Sequence, residues 1–398
     1  MPGKLIKKTW TYDPTLDAPA RYKRACHYTA FLPEELHGLR FSLSADLAGM
    51  ISEAEHAIRE LNHVGPTLAP MARLLLRTES IASSKVEGMQ VGVEELARAE
   101  ARLETGGRAS SMSIEVLANV DAMMLAVDDA AAVRQFGLDE ILAIHRRLVE
   151  RAENRHIAGR IRKSQNWIGG NDYNPCGADF VPPPPEDVKR LLGDLCRAIN
   201  GDTLPPLAQA ALVHAQFETI HPFDDGNGRT GRALIHVVLR RRGVAPRYLP
   251  PISVMFAKAK SRYIAALDSF RDSDVTDWLT YFASATTSAS RLAEAYVKAV
   301  AALRDRWRQQ LADSPRAPRK DATAWQIIDI LPAHPVLTGA AAIAVSGRSR
   351  PQTYQAIDQL VDADVLRPIN ESSRNRAWEA SGLLKLIAAL EAGRLPGR

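Results

Sequence analysis

The chain has 398 residues, of which 46% are hydrophobic, 24% charged and 6% aromatic, with 24 Gly and 24 Pro. These shares exclude a disordered, collagenous or low-complexity protein. At roughly 150 residues per domain the length predicts two or three domains, each able to build a core without metal or disulfide staples.

The balance of 51 Lys+Arg against 46 Asp+Glu gives a net charge of +5. That mild excess permits an anionic partner without demanding one. The three cysteines, Cys26, Cys176 and Cys196, form no CxxC pair. Neither a disulfide framework nor a zinc site is expected, and a reducing cytoplasm is the default. No apolar run approaches the ~18–20 residues that span a bilayer. The basic N-terminus lacks the apolar stretch of a secretory signal. The expectation is a soluble cytoplasmic protein with no membrane partner.

Along the chain, residues 1–45 read as an irregular lead-in, interrupted by Pro14, Pro19 and Pro33. From Ser44 onward Leu47, Ile51, Ala54, Ile58 and Leu61 recur at helical spacing. A second helix is predicted from about Leu68 to Lys85, with Gly88 as its stop. Others follow near 93–103, 113–129, 138–152, 186–199 and 206–220. Residues 164–181 break the rhythm and read as a β-hairpin with a long loop. Pro182–Pro185 then force an extended approach to the next helix. After a basic, interrupted linker over 313–320, short helices are expected at 325–331, 338–345 and 351–361. Two strands around a polar turn over 365–378 complete a winged helix-turn-helix.

The densest chemistry lies in His221–Arg232, H-P-F-D-D-G-N-G-R-T-G-R. Pro222 restricts His221, so the preceding helix should stop there. Gly226, Asn227 and Gly228 can expose successive N–H groups as an anion-binding concavity. The next helix opens at about Gly228 and adds its positive end. Arg229 and Arg232 fall on one face of its first turn. Cations there oppose the dipole at about 0.3–1 kcal/mol each when exposed, a cost that a phosphate chain would offset. Asp225 can neutralise part of that charge or hold Mg2+ against phosphates. His221 stands at the rim as a candidate general base.

This run resembles the signature of the Fic family, H-x-F-x-(D/E)-G-N-G-R-x-x-R, and matches each fixed position. The similarity extends over about 111–290. It takes in the flap-like segment Trp167, Ile168, Gly169 and Gly170 with the prolines behind it, and Arg262, Tyr263 and Trp278 downstream. The resemblance implies a mainly α fold: a Fic-type helical core over 111–290 with a β-hairpin flap. Before it would lie an N-terminal helical region (1–110), and after it a helical linker (291–320) and a winged helix domain (321–398). It also implies transfer of AMP from ATP to a Ser, Thr or Tyr hydroxyl of a target protein. His221 would then be the base and Phe223 the loop anchor. Asp225 would hold Mg2+; Gly226, Asn227, Gly228 and Arg229 would bind the phosphates; Arg232 would reach the γ-phosphate. The flap would register the target by strand addition, and Tyr263 would lie near the nucleotide base.

Upstream, Ser83-Ser84-Lys85-Val86-Glu87-Gly88 resembles the family's inhibitory motif, (S/T)-x-x-x-E-(G/N). The resemblance implies that Ser83, Glu87 and Gly88 belong to an inhibitory helix whose Glu87 occupies Arg232.

Alternatives stay open on the residues alone. His214 and His221, seven apart, would with Asp224 or Asp225 make a transition-metal site, though that leaves Gly-Asn-Gly and the paired arginines unexplained. The same fold also serves transfer of other nucleotidyl or phosphate-linked groups and removal of AMP. A DNA-binding regulator would use Arg348, Arg350, Arg374 and Arg376, yet residues 321–398 carry eight basic and eight acidic side chains, a net of zero. DNA and a homodimer stay open as partners. His145 and His236 read as packing or surface residues.

Overall fold

The computed structural model describes residues 3–12, 14, 17–39, 42–64, 69–272, 275–319, 321–369 and 376–396. Leu68, Lys320 and Arg374, which the sequence reading singled out, lie outside the described residues. The chain opens with strands β1 (Gly3–Trp10) and β2 (Cys26–Pro33). Helices α1 (Ala45–His63), α2 (Ala69–Val86), α3 (Val93–Glu104), α4 (Ser111–Met124) and α5 (Leu138–Val149) follow. Next come α6 (Pro185–Asn200), α7 (Pro206–Ile220), α8 (Asn227–Arg241), α9 (Ile252–Lys258), α10 (Lys260–Arg271) and the 38-residue α11 (Val275–Ala312). The C-terminal part adds α12 (Thr323–Ile330), β3 (Val336–Thr338), α13 (Gly339–Ser346), α14 (Arg350–Asp362), β4 (Leu366–Pro368), β5 (Ala377–Ala380) and α15 (Leu383–Glu391). The fold is mainly α, as expected. No described helix is long and apolar enough to cross a membrane.

Two compact units form. The first gathers Met1–Glu55, Ala122–Val244 and Lys260–Ser284; the second gathers His56–Asp121, Ala245–Ala259 and Ala285–Arg398. In the first, α7 is buried on every side from Leu207 to Ile220, which makes it the central helix. Both α6 and α7 begin on a proline at the first helical turn, where its missing N–H costs nothing.

In the second unit, α2, α11 and the C-terminal helices share one apolar core. Leu74, Leu75, Val300, Trp307, Ile327, Leu360, Trp378, Leu383 and Ile387 are all buried in it. The C-terminal elements run helix, strand, helix, helix, strand, strand, helix, with antiparallel sheet order β3-β5-β4. This is compatible with a winged helix-turn-helix. Thr338 caps α13 by accepting the Ala341 N–H at 3.1 Å, as an N-cap threonine should.

Four sequence expectations need correction. The lead-in over 1–45 is not irregular: β1 and β2 pair antiparallel, from Gly3 opposite Pro33 to Trp10 opposite Cys26. The prolines did not exclude this, because Pro14 and Pro19 fall in the connection and Pro33 ends its strand. Conversely, the hairpin over 164–181 reduces to one antiparallel bridge, Ile168 with Phe180. Its loop is held by side chains instead: Asn171 Oδ1 accepts the N–H groups of Tyr173 and Asn174 at 2.9 and 3.0 Å. Strand β3 was not foreseen, since all three residues are buried and show no alternation. Finally, Cys26 and Cys176 are joined in a disulfide, leaving Cys196 as the buried free thiol. An odd count and missing CxxC speak against a framework, not against one bond between distant residues.

Candidate active site

Helix α7 ends at Ile220, and His221 takes a left-handed conformation (φ 48°, ψ 60°) ahead of Pro222. A non-glycine residue in that region costs of order 1–2 kcal/mol and persists only where neighbours hold it. Here two side chains do so. Arg162 Nε donates to the His221 carbonyl at 2.9 Å, and Asn166 Nδ2 donates to it at 3.2 Å. Arg162 is nearly fully buried and also donates to the carbonyls of Ser164 at 3.0 Å and Pro183 at 2.6 Å. Its own N–H donates to Pro222 O at 3.0 Å. Burial pulls its pKa down to about 10, which leaves it a cation at neutral pH. One guanidinium thus binds the end of α7, the proline run and the segment leading to Trp167.

The loop that follows is closed on itself. Asn227 Oδ1 accepts the Phe223 N–H at 2.9 Å, and its Nδ2 donates to Phe223 O at 2.8 Å. Phe223 is fully buried and stacks on His145 with ring centroids 3.7 Å apart. His145 Nδ1 accepts the Gly159 N–H at 3.0 Å, so its proton sits on Nε2, which donates to Asp225 O at 3.0 Å. Burial drives the His145 pKa down to about 4, consistent with a neutral ring. His145 is thus a packing residue, as expected, and also a prop beneath the loop.

Gly226 caps α8 with φ 80°. The first N–H groups of a helix have no acceptor within it, and those of α8 open beside this turn. Arg229 and Arg232 are buried rather than solvated, at 3% and 1% exposure. Gly231 between them is required by packing. A Cβ there would stand 2.8 Å from Glu218 Oε1 and 3.1 Å from His214 Nδ1 on α7. No residue near Gly231 in sequence announces this need.

Asp225 is half exposed. Its Oδ2 accepts from Asn154 Nδ2 at 2.9 Å, and its Oδ1 accepts the Gly226 N–H at 2.6 Å and lies 3.6 Å from Arg229 Nη2. Among the described residues no group of three His, Cys, Asp or Glu side chains is placed to hold a metal ion. A single exposed carboxylate fits Mg2+ that keeps most of its ligands as waters and phosphate oxygens. It does not fit a cation bound by protein alone. His214, the other half of the transition-metal alternative, is fully buried, and its Nε2 lies 2.8 Å from Tyr263 Oη. Burial first, and Arg232 second, push its pKa down to about 3.

The Fic/DOC family model matches residues 135–239, which include the whole loop, and the family's N-terminal model matches residues 49–128. Residues 135–239 thus carry a Fic/DOC family domain. It is similar to protein adenylyltransferase fic-1 of Caenorhabditis elegans, 28% identical over 239 residues, covering 57% of this chain and 44% of that protein. It is also similar to protein adenylyltransferase Fic of Nematostella vectensis, 32% identical over 163 residues, covering 40% and 34%. The chain thus spans less than half the length of these curated relatives. Among solved structures, a Fic family protein from Desulfovibrio desulfuricans G20 aligns with TM-score 0.51 and 20% identity, over 86% of this chain and 98% of that one. Fic-1 from C. elegans aligns with TM-score 0.52 and 24% identity, over 64% and 74%. These two likenesses establish a shared fold.

The remaining residues of the Fic resemblance take these places. In the flap, Trp167 Nε1 donates to Asn171 O at 2.5 Å, and Ile168 is 37% exposed. Gly169 and Gly170 have φ of 74° and 77°. A Cβ on Gly169 would strike the Asp179 carboxylate, and one on Gly170 would meet Gly177 O at 2.8 Å. Tyr263, expected near a base, is buried with its hydroxyl on His214. In the second unit Ser83 is fully buried and Glu87 is exposed just past the end of α2. Gly88 (φ 90°) closes that helix: its N–H donates to Lys85 O at 3.0 Å, and Met89 N–H to Ser84 O at 3.1 Å. That pair of bonds is a Schellman motif, which selects glycine here.

Proposed function

We propose that this chain transfers AMP from ATP to a Ser, Thr or Tyr hydroxyl of a target protein, and that Glu87 restrains the transfer. The observation that carries the reading is the loop itself. A histidine pinned at a helix end borders the positive end of α8, where two buried arginines lie within the first two turns. Arg229, Arg232 and the first N–H groups of α8, with Gly226 and Gly228 in the turn, bind the phosphate chain, and Gly226 lets that turn pass over His145, whose ring a Cβ would meet at 3.3 Å. Asn227 serves the cradle through its backbone, since its side chain is committed to Phe223.

In the reaction, His221 accepts the proton of the incoming hydroxyl as its oxygen bonds to the α-phosphorus, and pyrophosphate leaves. Arg229 and Arg232 draw off the charge that develops on the departing oxygens. Asp225 is the residue to hold Mg2+, which would neutralise the α- and β-phosphates when bound. Glu87 competes with the γ-phosphate for Arg232 and so limits the productive orientation of ATP. The names of the relatives support adenylyl transfer as the group moved.

The test is incubation of the full chain with ATP labelled at the α- or the γ-phosphate, followed by separation of proteins. Label from the α-position enters protein, and label from the γ-position does not. His221→Ala lowers the rate by about 10²–10⁴-fold while ATP binding persists. Transfer of γ-label overturns the reading in favour of a kinase. Loss of label from a pre-modified protein, without incorporation, overturns it in favour of AMP removal.

A further inference from the structure

The strand pair β1–β2 lies outside the residues matched by both family models. Yet it is fastened to the flap and to the start of α6 at several points. Trp10 meets Trp167 edge-on with centroids 5.7 Å apart, and Tyr22 stacks on Tyr173 at 5.0 Å. Phe31 packs near Phe180 at 6.2 Å, and its N–H donates to Val181 O at 2.9 Å. The Cys26–Cys176 disulfide ties β2 to the flap loop, and Lys8 pairs with Glu186 at 2.8 Å. Three aromatic pairs, a covalent bond and an ion pair are more than a free terminus needs to cover itself.

What this joint creates is a groove of about 540 Å³. One wall is the hairpin, with Leu5, Tyr28 and Phe31; the other is the flap, from Pro175 to Val181. Its end is formed by Asp268, Arg271 and Asp272 at the close of α10. The lining is both apolar and acidic. Leu5 stands 73% exposed, an isolated apolar side chain with water on most sides. Asp179, Asp268 and Asp272 face a single cation, Arg271. That cation is already engaged: it lies 3.7 Å above the Phe180 ring and 2.9 Å from Asp268 Oδ1. The groove lining therefore carries an excess of negative charge beside an apolar wall.

We propose that this groove is a docking subsite for the target protein, taking an extended segment with a lysine or arginine next to an apolar side chain. The proposal rests on the transferase reading above and adds what that reading leaves open, the chemistry of the target around its hydroxyl. The basic side chain meets Asp272 and Asp179, and its apolar neighbour covers Leu5 and Phe31. The flap carries this choice toward the reaction, because Ile168 bridges Phe180 and Asn166, two residues earlier, bonds the His221 carbonyl. Charge complementarity of this kind sets partner choice more than raw affinity.

Fluorescence anisotropy with labelled eight-residue peptides tests the subsite directly. Each peptide holds a central Thr flanked by Lys-Leu, Glu-Leu or Ala-Ala. The full chain binds the Lys-Leu peptide most tightly. Asp272→Lys weakens that binding about fivefold or more, as loss and reversal of an exposed pair should, and Leu5→Asp weakens it too. ATP affinity, measured by calorimetry, stays unchanged in both variants and confirms that they fold. Equal binding of the three peptides, or preference for Glu-Leu, overturns the subsite. The same peptides are then incubated with α-labelled ATP: no label in any peptide, despite selective binding, counts against the transferase reading and not against the groove.

Discussion

Lys85 Nζ lies 2.8 Å from Glu391 Oε2, so a cation inside the Ser83–Gly88 motif is paired with the last helix of the chain. The carboxylate is almost entirely buried, with 3% of its side chain exposed. Burial raises the Glu391 pKa above its ordinary value, and Lys85 pulls it only part of the way back. A raised carboxyl pKa means that stability is fullest at low pH and declines as pH rises through the folded value. Lys85→Met removes the partner and should cost about 1–3 kcal/mol at pH 7, with a smaller loss near pH 4. Adding Glu391→Gln should restore much of it. Urea denaturation at the two pH values checks this, and an equal loss at both would show that the contact is not ionic.

The Glu87 prediction concerns activity instead. A carboxylate and a γ-phosphate compete for one guanidinium fork, and such charge-assisted bonds are geometrically selective. Glu87→Gly should raise AMP incorporation; a shift of 1.4 kcal/mol in the competent population gives roughly tenfold. Arg232→Ala should abolish transfer in both backgrounds. If folded Glu87→Gly is no faster than the parent chain, the motif is a helix end and nothing more.

Arg162 supplies the sharpest positioning test. Arg162→Met strands the carbonyls of His221, Ser164 and Pro183, at roughly 2–4 kcal/mol of stability. With His221 less firmly placed, kcat should fall about 10²-fold while KM for ATP moves little. Arg162→Lys should rescue little, because one ammonium cannot replace the planar fork. A fall in kcat that only tracks the unfolded fraction, measured by circular dichroism under assay conditions, would mean general unfolding rather than misplacement.

His145 predicts an acid limit. Its folded pKa of about 4 stands below the ordinary 6.5, so the unfolded chain binds the extra proton first. The stability it contributes is complete above pH 6.5 and is lost as pH falls toward 4, about 3 kcal/mol in all. His145→Gln, which keeps a donor toward Asp225 O, should flatten this part of the profile. Urea midpoints between pH 4 and 7 measure it.

Much of the fold was legible because its signals are local. The prolines opening α6 and α7, the periodic apolar stripes and the Gly88 stop each act within one or two turns. The loop was legible for the same reason, as twelve adjacent residues hold the candidate base, acid, glycines and arginines. What stayed hidden depends on partners far away in sequence. Arg162 is one of many arginines until the carbonyls of Ser164, Pro183 and His221 are seen around it, and Gly231 is an ordinary helical glycine until α7 lies against it. Strand β1 exposes most of its residues, so its alternation separates no apolar face. Nothing near Cys26 announces Cys176, 150 residues on.

The ring of bonds from Asn227, Arg162, Asn166 and His145 fixes the backbone of residues 221–227 while every one of its anchors belongs to the protein. Ordering a residue costs about 1–2 kcal/mol of conformational entropy, and here that loss falls on folding, not on capture of an anion. The turn before α8 is therefore a template already set, and a phosphate reaching it gives up mainly its own freedom and its water. Such a site gains affinity from rigidity rather than from the number of its contacts.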